Sequence, residues 1–167
     1  MPTITELLLP EFDREMASTR KVLERVPEAK GAWKPHPKSY TLGDLAVHVA
    51  TLPHWGTVTF RDSGFDYTEK VAAEMARKFE GTKALLAMFD RHSAEARAEL
   101  LKVADPAWSA PWTFKYQGQP VFTKPRYETY RTDTLNHLVH HRAQLTVYLR
   151  LNDVPLPNLY GPTADEK

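Results

Sequence analysis

Apolar residues recur at three- and four-residue steps in four separate stretches of the chain, and each stretch predicts an amphipathic helix. In the first, Ile4, Leu7, Leu8, Phe12, Met16, Leu23 and Val26 follow one another at that spacing. Thr3 with Glu6 three residues on is a capping-box signature, and Pro27 is expected to end the helix. The second stretch opens at Thr41, where Thr41 and Asp44 repeat the capping spacing. It carries Leu45, His48, Leu52 and Trp55 on one side, and Pro53 is expected to kink or restart it. The third runs from about Thr82 to Val103, with Leu85, Phe89, His92, Ala96, Leu100 and Val103 on its buried stripe. The fourth fills the run from Pro125 to Leu151, which contains no internal Gly or Pro. Pro125 falls in its first turn, where the missing N–H costs nothing.

The connections are long and uneven. Residues 27–40 carry Pro27, Gly31, Pro35 and Pro37, with Trp33 expected to lie over a helix end and His36 to face solvent. Residues 62–80 are broken by Ser63, Gly64 and Asp66, and a short helix is expected between Glu69 and Phe79. That length suits a crossover better than a tight helical hairpin. Between Asp105 and Lys124 stand Trp108, Trp112, Phe114, Tyr116 and Phe122, which can lid one end of the helices or pack against a second subunit. A short hairpin around Gln117-Gly118 fits there, and the Pro-rich tail after Asn152, with Tyr160-Gly161-Pro162 as a turn, is expected to strap across the helices. The fold class is all-α, a four-helix bundle with long crossover connections. At 167 residues the chain makes one domain, residues 1–167, with a substantial core.

Composition narrows the function classes. Lys+Arg 22 against Asp+Glu 21 leaves a net charge of +1, which gives no electrostatic case for nucleic acid. No apolar run approaches the roughly 20 residues a membrane span needs, and no signal-peptide pattern opens the chain, so a cytoplasmic protein is expected. Cysteine is absent, which removes a disulfide framework, a thiolate ligand and a cysteine nucleophile.

The chemistry concentrates on histidine. On the fourth helix Tyr130, Thr134, His137, His141 and Tyr148 share one stripe, so two imidazoles stand one turn apart. Side chains four residues apart have Cβ atoms about 6 Å apart, close enough for two ring nitrogens to reach one ion. His48 points inward from the second helix and supplies a third nitrogen. Neutral imidazole is the commonest metal ligand, and three histidines with a fourth position open is the arrangement of a catalytic divalent site. His92 competes as a ligand, whereas His140 is expected to point away, and His54 to point away from His48 and face solvent. Asp133, Gln144, Tyr130 and Tyr148 lie on or beside the stripe and can orient a substrate or pack behind the ligands. Asp44 either caps its helix or supports a ligand. Arg142 lies on another side of its helix, where a salt bridge can anchor it.

Four blocks resemble the DinB-like (DinB/YfiT) family of metalloenzymes. They are Trp33-Lys34-Pro35, Thr41 to His48, His137 to Leu145, and the tail from Val154 to Thr163, in the family's order. The resemblance implies a four-helix bundle, usually a homodimer, whose metal ligands here are His48, His137 and His141. It implies one divalent ion, nickel or zinc first, with iron, copper or manganese also fitting a tris-imidazole site. It further implies transfer of a low-molecular-weight thiol to a small electrophilic substrate, or a hydrolase-type reaction. With no cysteine of its own, this chain would take the thiol as a cosubstrate. The catalytic residues are not identified by the sequence. The alternative is a non-catalytic metal-binding or stress-response protein with a structural or vestigial site.

Overall fold

The computed structural model describes residues 1–166. Helix α1 spans Ile4–Leu23 and opens on a complete capping box. The Glu6 amide donates to the Thr3 hydroxyl at 3.1 Å, and the Thr3 amide donates to the Glu6 carboxylate at 2.7 Å. The helix stops three residues short of Val26 because the chain tightens there: the amides of Arg25 and Val26 bond the carbonyls of Val22 and Leu23, three residues back. Helix α2 spans Leu42–Arg61, with the Asp44 amide bonded to its cap Thr41. It runs straight through Pro53, contrary to the expected break. Leu52 and Pro53 are both buried, so packing on either side holds the helix where one backbone hydrogen bond is missing. The entry to α2 also needs Gly43. Its amide donates to the Gly31 carbonyl, and a Cβ there would stand 2.8 Å from the Cβ of Phe79.

The strictly all-α expectation is corrected by a small three-stranded sheet. Strand β1 (Gly64–Tyr67) pairs in parallel with β2 (Pro111–Tyr116), and β2 pairs antiparallel with β3 (Gln119–Pro125). The hairpin expected at Gln117-Gly118 joins β2 to β3. Both residues have positive φ, 51° and 78°, as the tight hairpin turns with matching twist require. The Asp66 carboxylate accepts from the Gly118 amide and ties β1 to that turn.

Helix α3 (Glu69–Met75) is shorter than predicted, and α4 spans Thr82–Leu100. Short α5 (Asp105–Trp108) precedes the hairpin, and α6 (Arg126–Thr129) follows it. The fourth predicted helix is therefore not continuous. A π-helical segment, Tyr130–Asn136, separates α6 from α7 (His137–Arg150).

The four long helices, α1, α2, α4 and α7, pack on one another around Leu42, Leu45, Phe89, Leu138 and Leu145, all at 1% exposure or less. Arg142 is buried as well. Its guanidinium donates to the Glu15 carboxylate at 2.6 Å, to the Thr19 hydroxyl at 3.1 Å, and to the Tyr160 hydroxyl. Tyr160 in turn donates to Glu15, which straps the tail across α1 and α7 as expected. Arg126 closes the far end of α2 by donating to the carbonyls of Thr59, Phe60 and Asp62. Among the described residues, no helix is long and apolar enough to cross a membrane.

Candidate metal centre

Two helices bring three imidazoles together. His48 sits in the middle of α2, His137 begins α7 directly after the π-helical segment, and His141 follows one turn later. One ring nitrogen from each lies within 4.8 Å of the others. The Nε2 atoms of His48 and His137 are 3.3 Å apart. Two imidazoles on one tetrahedral ion at about 2.1 Å would place their nitrogens about 3.4 Å apart, so the spacing fits a shared ion.

The rings are held from behind. The His137 Nδ1–H donates to the Asp133 carbonyl at 3.4 Å, and the His141 Nδ1–H donates to the Gln144 side-chain oxygen at 2.7 Å. A proton on Nδ1 leaves Nε2 with its lone pair, the form a metal ligand needs. Tyr40 stacks over His48, ring centres 6.0 Å apart. Burial is the main cause that pushes His48 down to about 4, with the neighbouring His141 and His137 adding to it. Burial also lowers His137 and His141. All three are therefore neutral at pH 7. One N–H···N bond can satisfy His48 and His137 together, but it leaves the third nitrogen without a donor. The donor set fits a divalent ion of the tris-imidazole type.

The remaining sequence expectations divide. His36 and His140 are exposed, and Asp44 is an exposed capping-turn residue. Tyr130 is buried at 1% exposure against Phe60 and Trp108, away from the imidazoles. Tyr148 packs edge-on to Trp33, which covers the core beside it. The Asp133 side chain pairs with Lys124 at 3.2 Å. His92 does not join the triad: its Nδ1 lies 3.3 Å from the Ala50 carbonyl. His54 is not solvent-facing, contrary to expectation. It is half-buried, with its ring centre 5.5 Å from that of His92, because its flank of α2 packs on α4.

A cavity of about 740 Å³ adjoins the triad, with His48 and His137 in its wall. Trp55 lines it from α2, and Trp112, Phe114 and Phe122 line it from the sheet. Most of the aromatic run expected as a lid or a dimer surface thus falls on a β-hairpin, from which Trp112, Phe114 and Phe122 wall this cavity. Trp108 and Trp112 are 1% and 2% exposed within their own chain. Trp112 Nε1 and Thr129 Oγ1 are buried on the cavity side with no partner among the described residues. Sequence reasoning missed Tyr40, the His54–His92 pair and the sheet wall. The alternation Trp112, Phe114, Tyr116 was the signal that could have revealed the last of these.

This geometry defines a class, a mostly helical protein with a three-histidine group able to hold a metal ion. A family model described as the DinB family matches residues 1–167, and the chain belongs to the DinB family. A DinB-like protein from Bacillus cereus ATCC 10987 has a similar structure, with TM-score 0.69 and 22% identity over 95% of this chain and 98% of that one. A DinB-like protein from Bacillus subtilis, YjoA, aligns with TM-score 0.67 and 14% identity over 96% of this chain and 99% of that one. At these identities the likeness speaks for the fold. Among curated proteins, none matches the chain.

Proposed function

We propose that the protein is a metal-dependent enzyme in which His48, His137 and His141 hold one divalent ion and the adjoining cavity receives the substrate. The observation that carries this reading is that His48 and His137 stand in the wall of a 740 Å³ cavity. Three protein ligands beside a space that a small molecule can enter suit a catalytic site, whereas structural sites close on four protein ligands. The same opening disfavours a purely structural or vestigial site.

A divalent ion bound there supplies positive charge undiluted by carboxylates, which favours the ionised form of a water or a thiol. The chain's own residues do the rest. The imidazoles stay neutral through burial, and the Asp133 carbonyl and Gln144 amide hold two of the rings in orientation. Trp55, Phe114 and Phe122 exclude water from the apolar part of the cavity. With no cysteine in the chain, a reacting thiol is a low-molecular-weight cosubstrate. The proposed reaction is its transfer to a small electrophile, with hydrolysis as the second activity to assay. Nickel or zinc is the proposed ion.

In this reading the chain works as one domain, its four long helices forming a DinB-type four-helix bundle. Pairing into a homodimer belongs to the same proposal. With Trp108 and Trp112 buried, Tyr116, Val121 and Tyr127 are the large apolar residues left exposed on the hairpin and α6 for a second copy. Light scattering at tens of micromolar tests this, and a monomer removes it.

The functional test is a panel of low-molecular-weight thiols against small electrophiles, with ester and amide hydrolysis alongside, on zinc- or nickel-loaded protein. Turnover that disappears in H137A supports the reading. Equal rates in wild type and H137A overturn it.

A further inference from the structure

The cavity has a second chemical end. His54 from α2 and His92 from α4 both line it, and Arg77, just beyond α3, lines it with them. His54 lies six residues past His48 on the same helix, a rise of about 9 Å. The two ends are therefore separated by about the length of a small organic molecule. Between them the wall is apolar and aromatic, with Trp55 and Phe114 among its members.

The charges at this end are lopsided. Arg77 Nη1 donates to the carbonyls of Glu74 at 2.6 Å and Ala76 at 2.8 Å, which fixes the guanidinium in place. Arg91 Nη2 lies 3.5 Å from His92 Nε2. Neither arginine forms an ion pair among the described residues, in contrast to Arg20, Arg97 and Arg131. Among the described residues the one carboxylate in the cavity wall, Asp133, is paired with Lys124. Glu95 favours a proton on His54, but burial outweighs it, and the charges of Arg61, Arg77 and Arg91 act with burial. Burial likewise lowers His92, so both rings are neutral at pH 7; His92 points its one N–H at the Ala50 carbonyl, which leaves the His54 N–H as the imidazole donor for a ligand.

We propose that this end of the cavity is a carboxylate subsite, and that the substrate of the metal centre is a small amphipathic acid. Its carboxylate is received by the Arg77 guanidinium, with the His54–His92 pair beside it. Its apolar body lies on Trp55 and Phe114, and its far end reaches the three histidines. A guanidinium fork matches a carboxylate in shape and charge, so an exposed arginine at the cavity rim can still select an acid over its amide. One unpaired guanidinium in the wall beside two neutral imidazoles suits a single negative charge better than a phosphate dianion. The placement of the acid's far end rests on the metal reading above, whereas the subsite itself does not need the ion.

The test compares 3-phenylpropionate with its neutral counterpart 3-phenylpropionamide by calorimetry, on zinc-loaded and on chelator-treated protein. The acid is expected to bind at least about tenfold more tightly than the amide in both preparations. Exposed Arg77 can be changed without disturbing the core, so R77Q is the first variant and H54Q/R77Q the second. Both should bring acid and amide to within about twofold of each other, with H140Q behaving as wild type. No binding of the acid at millimolar concentration, equal binding of acid and amide, or a preference that survives in H54Q/R77Q overturns the proposal. A preference that vanishes on chelation overturns it too, since the carboxylate would then be bound to the metal. A preference that persists in protein unable to take up zinc supports the subsite and counts against the metal reading alone.

Discussion

His48 Nε2 and His137 Nε2 stand 3.3 Å apart, although 89 residues separate them in the chain. Two half-buried imidazoles at that distance, with His141 beside them, are a poor way to fill a helix interface without a ligand. Polar rings lose water there and regain little of it from one another. In metal-free protein, H48L is therefore expected to be at least as stable as wild type, by up to about 1 kcal/mol. With zinc present the order should reverse, because only wild type gains stability from binding. Urea unfolding of both proteins, with and without chelator, checks this. A large loss for H48L in the metal-free state would mean that the histidines are ordinary core residues.

Gln144 holds His141 through the 2.7 Å bond to Nδ1. Removing such a support usually costs a metal site between about 10- and 100-fold in affinity. Gln144 is exposed, so Q144L is expected at the lower end, about tenfold weaker. Q144E, which keeps the acceptor, should bind at least as tightly as wild type. Competition against a fluorescent zinc chelator measures both, and identical affinities for all three proteins would show that the bond does not orient the ligand.

Arg142 and Glu15 form an ion pair at 2.6 Å with both side chains almost wholly buried. Truncating one partner strands the other charge, so R142A is expected to lose about 3–5 kcal/mol of stability. Y160F removes only one hydroxyl from the same group and should cost about 1 kcal/mol. Denaturant midpoints at constant slope test the ranking. A loss for Y160F as large as that for R142A would mean that the tail, rather than the ion pair, carries the stability.

In metal-free protein, stability should fall as the pH drops from about 6.5, the ordinary imidazole value, towards 4. Burial holds His48 at about 4 and lowers His137, His141 and His92 as well. Between those values the unfolded chain takes up protons that the folded chain refuses, so acid favours unfolding. The contribution is complete above the unfolded value and is lost on the way down to the folded one. H48L should flatten the pH dependence of the melting temperature across that window. A wild-type melting temperature that is level from pH 7 to 4.5 would contradict the burial of these rings.

The triad was legible in the sequence because a period of 3.6 residues fixes azimuth: His137 and His141 share a face of one helix, and His48 shares the inward face of another. His54 was misjudged for the same reason. Its azimuth lies off the main stripe of α2, and only the packing of α4 against that flank makes it an interior residue. The π-helical segment from Tyr130 to Asn136 was invisible because that stretch holds no Gly or Pro to mark a change of helix type. Pro53 misled in the opposite direction, since core packing outweighed one missing hydrogen bond. The sheet was written in short alternating runs at Trp112, Phe114 and Tyr116, but a four-residue β1 carries too little pattern to announce a partner for them.

The central claim is that His48, His137 and His141 bind one divalent ion. The most direct measurement is elemental analysis of untagged protein, as purified and after reconstitution with zinc or nickel, across single alanine variants of all seven histidines. The expected result is close to one ion per chain for wild type, H36A, H54A, H92A and H140A, and a near-complete loss for H48A, H137A and H141A. Equal loss on replacing His140 and His141, or no ion in reconstituted wild type, would contradict the account.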